Sequence, residues 1–239
     1  MLEEHAFAQE LLQAEVPVVA PWVLQGRTLH QHAGFAFSVS PWRGGRMPEL
    51  DDWDTLEWLG RFLARLHVVG AQGRFVYRSV LNAQSMGYEP MQWLLTHADM
   101  PAHVRARWQP VCEQALTQAA QVLEATPYHA IRLHGDCHPG NILWTPVDEE
   151  GRGGPHFVDL DDARMGPAIQ DLWMCISGDR MQRSQQLSTL VEGYEQIRDF
   201  DRRELALIEP LRTLRLIHYS AWLAQRQSDP AFQRAFPWF

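Results

Sequence analysis

The stretch RLHGDCHPGNILW, Arg132 to Trp144, decides how the rest of the chain is read. Asp136 and Asn141 stand in Asp-x-x-x-x-Asn spacing in a short loop between the apolar runs Tyr128–Leu133 and Ile142–Trp144. Apolar runs of this length, punctuated by Gly, Pro and Asp, predict two short strands joined by a turn. The counterpart downstream is PHFVDLDDARMG, Pro155 to Gly166, in which Asp159 ends the apolar strand His156-Phe157-Val158.

A loop carboxylate, a carboxamide and a strand-end carboxylate form the set that Mg²⁺-dependent phosphoryl transfer uses. In that chemistry Asp136 accepts the proton of the attacking hydroxyl. Asn141 and Asp159 are the metal ligands, Asp159 counting also among the catalytic residues. Mg²⁺ suits such a site because it takes hard oxygen ligands and lets phosphates complete its octahedron. Two other readings compete. His134, Cys137, His138 and His156 could form a transition-metal site, but no Cys-x-x-Cys or His-Glu-x-x-His spacing accompanies them. Asp136 and Asp159 could also be turn residues bonded to backbone amides. That account suffices for either residue alone and not for the whole constellation.

The string His134-Gly135-Asp136-Cys137-His138-Pro139-Gly140-Asn141, followed by Phe157-Val158-Asp159, resembles the aminoglycoside phosphotransferase/choline kinase family. The further segments FVDLDDAR-GPA-QDLWM and IEPLR—RL—Y-AWL resemble a bacterial protein Ser/Thr kinase branch of it, and the likeness runs from Leu2 to Trp238. The resemblance implies a protein-kinase-like α+β fold, with a reduced N-lobe at residues 1–40 and a mainly helical C-lobe at 41–239. It implies ATP and Mg²⁺ as cofactors and a Ser/Thr hydroxyl of a protein as acceptor. A small-molecule alcohol or aminoglycoside acceptor is the alternative. A binding module or pseudokinase without turnover is the rival from another class.

By the same resemblance, backbone groups near Ser40–Trp42 meet adenine where the chain passes between lobes. Helix 2–15 carries the glutamate that pairs with a phosphate-binding lysine, with Glu4 preferred over Glu3. His134 packs under the loop and bonds backbone. Asp171 is the buried carboxylate that accepts amide hydrogens from the catalytic loop, and Asp161 and Asp162 are turn or supporting residues. Yet all 21 basic residues are arginine, and the chain contains no lysine. It resembles a family member that begins after the strands bearing that lysine. Glu3 or Glu4 then lacks its partner, with Arg27 or Arg43 as the nearest substitutes, and phosphoryl transfer by these residues alone is expected to be weak.

Composition bounds the rest. A chain of 239 residues with 46% hydrophobic content and ten tryptophans is a globular, enzyme-like protein. The net charge of −8 is spread along the chain, which argues against a nucleic-acid surface. No apolar run approaches the roughly 20 residues that span a bilayer, and no signal peptide opens the chain. Cys112, Cys137 and Cys175 are too scattered for a disulfide framework, which fits a reducing cytoplasm.

Periodicity predicts a helix at 2–15, with Leu2, Phe7, Leu11 and Leu12 near one face, and another at 52–69, with Leu56, Leu59, Phe62, Leu63 and Leu66 on one stripe closed by Gly70. Further helices are predicted at 89–97, at 101–126, with Val104, Trp108, Val111, Leu116, Ala119, Ala120 and Leu123 as core positions, and at 169–177, 181–197 and 201–227. Strands are expected at 22–24, 28–30 and 35–40, with turns at Gln25-Gly26 and Ala33-Gly34. Arg43-Gly44-Gly45-Arg46 reads as a turn, since it lacks the spacing of a phosphate cradle. His67 falls on the apolar face of its helix and reads as a packed core histidine. Residues 145–154 read as a polar hairpin loop.

Overall fold

The computed structural model describes residues 1–146, 149 and 153–235. The polar loop expected at 145–154 and the aromatic end at Phe236–Trp238 lie partly or wholly outside the described residues. The chain forms two compact units, Met1–Ser79 with His129–Arg202, and Val80–Tyr128 with Arg203–Phe239.

The first unit begins with α1 (Leu2–Gln13), which buries His5, Phe7, Ala8 and Leu11. Leu2 and Leu12, expected on the buried face, are exposed instead. Helix α2 (Trp53–Gly70) starts where the Asp52 carboxylate accepts the Asp54 N–H at 3.3 Å. Its Leu56, Leu59, Leu63 and Leu66 recur at helical spacing and are fully buried. The stripe packs on α6 (Arg180–Glu195), which opens with an Asp179/Gln182 capping box. Two glycines permit the close approach. A Cβ on Gly60 would lie 2.1 Å from the Leu190 carbonyl oxygen, and one on Gly193 would lie 2.1 Å from that of Glu57.

Among the described residues this unit holds three two-stranded antiparallel sheets. β1 (His30–His32) pairs with β2 (Phe35–Phe37) around Ala33-Gly34, both at positive φ as a two-residue hairpin turn requires. The expected strand at 22–24 is reduced to one bridge, Leu24 to Arg27, and the strand at 28–30 forms two residues later. The Ala33-Gly34 turn sets the register, pairing His30 with Phe37, so the strands stop where that ladder stops. β3 (Ile131–Leu133) pairs with β6 (Arg164–Gly166), and β4 (Ile142–Thr145) with β5 (Gly154–Phe157).

Backbone bridges extend the β4–β5 hairpin on both sides. The Phe157 N–H donates to Pro17 O at 2.8 Å, and Val19 N–H donates to Phe157 O at 2.9 Å. On the other side Trp144 and Arg46 exchange two backbone bonds, at 2.7 and 3.0 Å. Arg46, the last residue of the stretch 43–46 read from sequence as a turn, is thus paired with β4. α5 (Ile169–Trp173) follows β6 and is shorter than the expected 169–177.

The second unit is helical. A π-turn at Gln84–Tyr88 leads into α3 (Glu89–His97), then α4 (Ala102–Ala125), α7 (Ile208–Arg226) and α8 (Pro230–Ala235). α4 buries only Cys112, Leu116 and Ala119. Val104 and Val111, expected in the core, are exposed, because α4 packs on α7 and α3 through a narrow stripe. The single helix expected over 201–227 is instead a 3₁₀ segment, Arg202–Leu207, followed by α7. Pro210 falls in the first turn of α7, where its missing N–H leaves no helical bond unmade.

Candidate active site

The loop between β3 and β4 is held from below by a buried carboxylate. Asp171, on α5, accepts the backbone N–H of His134 at 2.8 Å and of Gly135 at 2.9 Å. A third donor is the His67 ring, whose Nε2 lies 3.0 Å from the same carboxylate, while its Nδ1 lies 3.0 Å from the Tyr194 hydroxyl. Burial pushes the Asp171 carboxyl up, but the bonds from His67 and the loop outweigh it and hold the group below its ordinary range. Burial pushes His67 down, against the pull of Asp171. A neutral His67 that donates from Nε2 and accepts from Tyr194 satisfies both groups. His67 is fully buried, as its apolar surroundings in sequence suggested.

His134 is also fully buried, and its Nε2 donates to Val158 O at 2.8 Å. Its Nδ1 accepts the Asp136 N–H at 3.4 Å. The imidazole therefore ties the segment before Asp159 to the loop carrying Asp136, through backbone only. Gln170 adds a bond from Nε2 to Gly135 O at 3.1 Å.

Asp136 and Asn141 are joined directly. The Asn141 Nδ2 donates to the Asp136 backbone carbonyl at 3.0 Å, which fixes the orientation of its side-chain amide. The Asn141 carbonyl accepts the Val158 N–H at 3.0 Å. Asn141 and Asp159 thus leave the same end of the β4–β5 ladder, and the structure brings together the three residues the sequence singled out. His138 Nε2 stands 3.6 Å from the Asp136 carboxylate.

Asp159 does not sit in the strand. β5 ends at Phe157, and Asp159 adopts the left-handed conformation, φ 65° and ψ 60°, ahead of a 3₁₀ turn at Leu160–Asp162. A hydrogen bond to the Asp161 side chain pushes its carboxyl up to about 7, helped by burial and by the charges of Asp161, Asp162 and Asp136. Asp162 is paired with Arg164. The donors are all oxygens, and their mutual repulsion is of the kind a divalent cation relieves. Among the described residues no three His, Cys, Asp or Glu side chains converge on a point as metal ligands would.

Glu4 has a cationic partner after all. Arg78 NH1 lies 2.9 Å from Glu4 Oε2, so the partner is neither Arg27 nor Arg43. Glu3 instead accepts the backbone N–H groups of Val76, Tyr77 and Arg78 at 2.6, 2.9 and 3.0 Å, which holds its carboxyl low. Arg78 stands in a stretch without periodicity, and nothing in the sequence marked it. Ser40 and Trp42 precede Arg46, which pairs with β4; both are exposed, Trp42 by 89%.

Comparison with known proteins agrees with this geometry. Residues 1–208 match the model of the phosphotransferase enzyme family. Stress response kinase A of Salmonella choleraesuis strain SC-B67 is 45% identical over 236 residues, covering 99% of this chain and 70% of the relative. The serine/threonine protein kinase RdoA of Salmonella typhimurium strain LT2 matches at the same identity and coverage. Among solved structures, amicoumacin kinase hAmiN in complex with AMP-PNP, Ca²⁺ and Ami superposes with a TM-score of 0.73 at 21% identity. That match covers 99% of this chain and 74% of that one. With residues 1–208 matched by the family model, relatives 45% identical over nearly the whole chain, and this fold, the chain belongs to the phosphotransferase enzyme family, as a kinase of protein-kinase-like α+β architecture.

Proposed function

We propose that the chain is an ATP- and Mg²⁺-dependent phosphotransferase whose acceptor is a Ser or Thr hydroxyl of a protein. The observation that carries this reading is the convergence of Asp136, Asn141 and Asp159 at one end of the β4–β5 hairpin. Asp136 orients the acceptor hydroxyl and takes its proton. Asn141 and Asp159 hold Mg²⁺ by oxygen, and the bound ion would neutralise phosphate charge. Residues 1–40 serve as a reduced N-lobe, in which Glu4 supports the nucleotide site, and Ser40 and Trp42 border adenine. Residues 41–239 supply the catalytic and metal loops.

Support for a protein acceptor is the identity to relatives named as stress response and serine/threonine kinases. The amicoumacin kinase complex supports nucleotide and divalent-ion use by this fold, and it also favours the second reading, a small-molecule alcohol as acceptor. Among the described residues no helix is long and apolar enough to cross a membrane. The three cysteines are free and buried, which supports residence in a reducing cytoplasm.

Labelled ATP supplied with the chain and a generic basic protein tests the reading, at high enzyme concentration and long incubation because transfer by a lysine-free chain is expected to be weak. Label on Ser or Thr, reduced roughly 10²–10⁴-fold by Asp136→Asn, is the expected result. Turnover with an amino alcohol and no protein labelling would transfer the proposal to the small-molecule acceptor. Equal labelling by wild type and Asp136→Asn would remove Asp136 from the mechanism.

A further inference from the structure

We infer that Arg78 is a positioning residue for the metal-binding loop, clamping the turn after Asp159 to helix α1. The inference rests on the reading of Asp159 as a metal ligand. Three nitrogens of one guanidinium serve three acceptors on two separate elements. NH1 pairs with Glu4 on α1, NH2 donates to the Asp161 carbonyl, and Nε donates to the Ala163 carbonyl. The first carbonyl lies within the 3₁₀ turn Leu160–Asp162 that immediately follows Asp159, and the second belongs to the residue that caps its end.

Arg78 is itself held in place. Its backbone and those of Val76 and Tyr77 are fastened to α1 by the Glu3 carboxylate. One turn further back, Phe75 stacks edge-on against the buried Phe7 of α1, with ring centroids 5.6 Å apart. The Arg78 guanidinium lies over the Phe75 ring at 5.9 Å. Residues 75–78 therefore form a strap between α1 and the 159–166 segment, with the Arg78 side chain bonded to both. Its side chain is mostly buried, so these bonds compete little with water.

The loop needs such a clamp. Asp159 is a non-glycine residue in the left-handed region, a conformation that persists only where the surroundings over-determine it. The carboxylates of Asp159, Asp161 and Asp162 also crowd one short turn, and repulsion among them favours splaying it open. Holding the Asp161 and Ala163 carbonyls keeps the turn closed without using any carboxylate of the cluster. An arginine can do this because its planar fork reaches three acceptors in fixed directions. A lysine keeps the charge and loses the fork. With all three nitrogens engaged, Arg78 acts on the loop and does not stand in for a phosphate-binding lysine.

Hydrogen exchange and calorimetry on the purified chain test this, using Arg78→Ala, Arg78→Lys, Asp159→Asn and wild type. Exchange is read without nucleotide, so it reports on the clamp independently of the metal. In Arg78→Ala, amides of Leu160–Arg164 should exchange about tenfold faster or more, the scale of losing a charge-assisted hydrogen bond. Calorimetry with AMP-PNP should show the gain in affinity on adding Mg²⁺ cut by about tenfold in Arg78→Ala, with metal-free affinity unchanged. Arg78→Lys keeps the charge and guards against a variant that fails to fold; it should show both effects in smaller degree. Wild-type exchange and a wild-type Mg²⁺ gain in a folded Arg78→Lys and Arg78→Ala, with the gain lost in Asp159→Asn, would overturn the inference and leave the metal reading standing. A Mg²⁺ gain that survives Asp159→Asn would overturn the metal reading, and this inference with it.

Discussion

The side-chain amide of Asn141 donates to the backbone carbonyl of Asp136 at 3.0 Å, so the residue read as a metal ligand also shapes the loop that carries the proposed base. Asn141→Ala removes both functions at once. Asn141→Asp retains an oxygen ligand but cannot donate to Asp136 O. The amide bond is a neutral one worth about 1 kcal/mol. Asn141→Asp should therefore unfold at a slightly lower temperature while keeping part of the Mg²⁺-dependent gain in nucleotide affinity, and Asn141→Ala should lose that gain. Paired melting curves and calorimetry separate the two roles; an Asn141→Ala chain with the full gain would exclude Asn141 as a ligand.

His67 makes the first unit acid-sensitive. Burial holds its folded-state pKa below that of the unfolded chain, which is about 6.5. The unfolded state then binds the proton more readily, so stability is full above pH about 6.5 and is lost as pH falls below it. Asp171, also depressed, extends the loss at lower pH, below the range of an ordinary carboxyl. Denaturant melts of wild type and His67→Gln between pH 7.5 and 5.5 check this. The wild type should lose more stability over that interval, and equal losses would show that His67 does not titrate on unfolding.

Gly60 is the tightest point of the α2–α6 crossing. An added methyl would overlap the Leu190 carbonyl, which is backbone and cannot move aside cheaply. Gly60→Ala gains helix propensity worth about 1 kcal/mol but forces the helices apart, at a cost of about 1–3 kcal/mol or more. The net result should be a lower unfolding midpoint in urea. A midpoint at or above that of wild type would mean that the helices separate without loss.

The β1–β2 hairpin should be the least protected part of the first unit. It is a two-stranded ribbon with Phe35 76% exposed and both faces turned outward. Such a ribbon is marginal by itself in water. Helix α1 is a different case. Phe7 and Leu11 are fully buried, and Arg132, paired with Glu10 at 2.6 Å, covers the Phe7 ring. Native-state exchange should therefore be fast over residues 22–40 and slow over residues 5–12. Equal rates would show that the hairpin is stabilised by contacts beyond its own ladder.

Local signals made much of the chain legible. The leucine spacing of α2, closed by Gly70, and the bounds of α3 follow from residues within one or two turns of each other. The Asp136–Asn141 loop was legible for a similar reason. Its residue types and spacing carry chemistry that turn-making alone does not require. What needed the fold were choices between chemically equivalent residues and faces. Val104 and Val111 look like core residues of α4 until α7 and α3 settle on another stripe. Residues 43–46 read as a turn until β4 offers Trp144 as a backbone partner. With 21 arginines and no lysine, composition announced a missing cation, and sequence distance suggested Arg27 or Arg43 in its place. The residue that meets Glu4 is Arg78, because α1 lies against the strap at 75–78. An ion pair depends on separation in space, which a linear order of residues does not contain until the chain has packed.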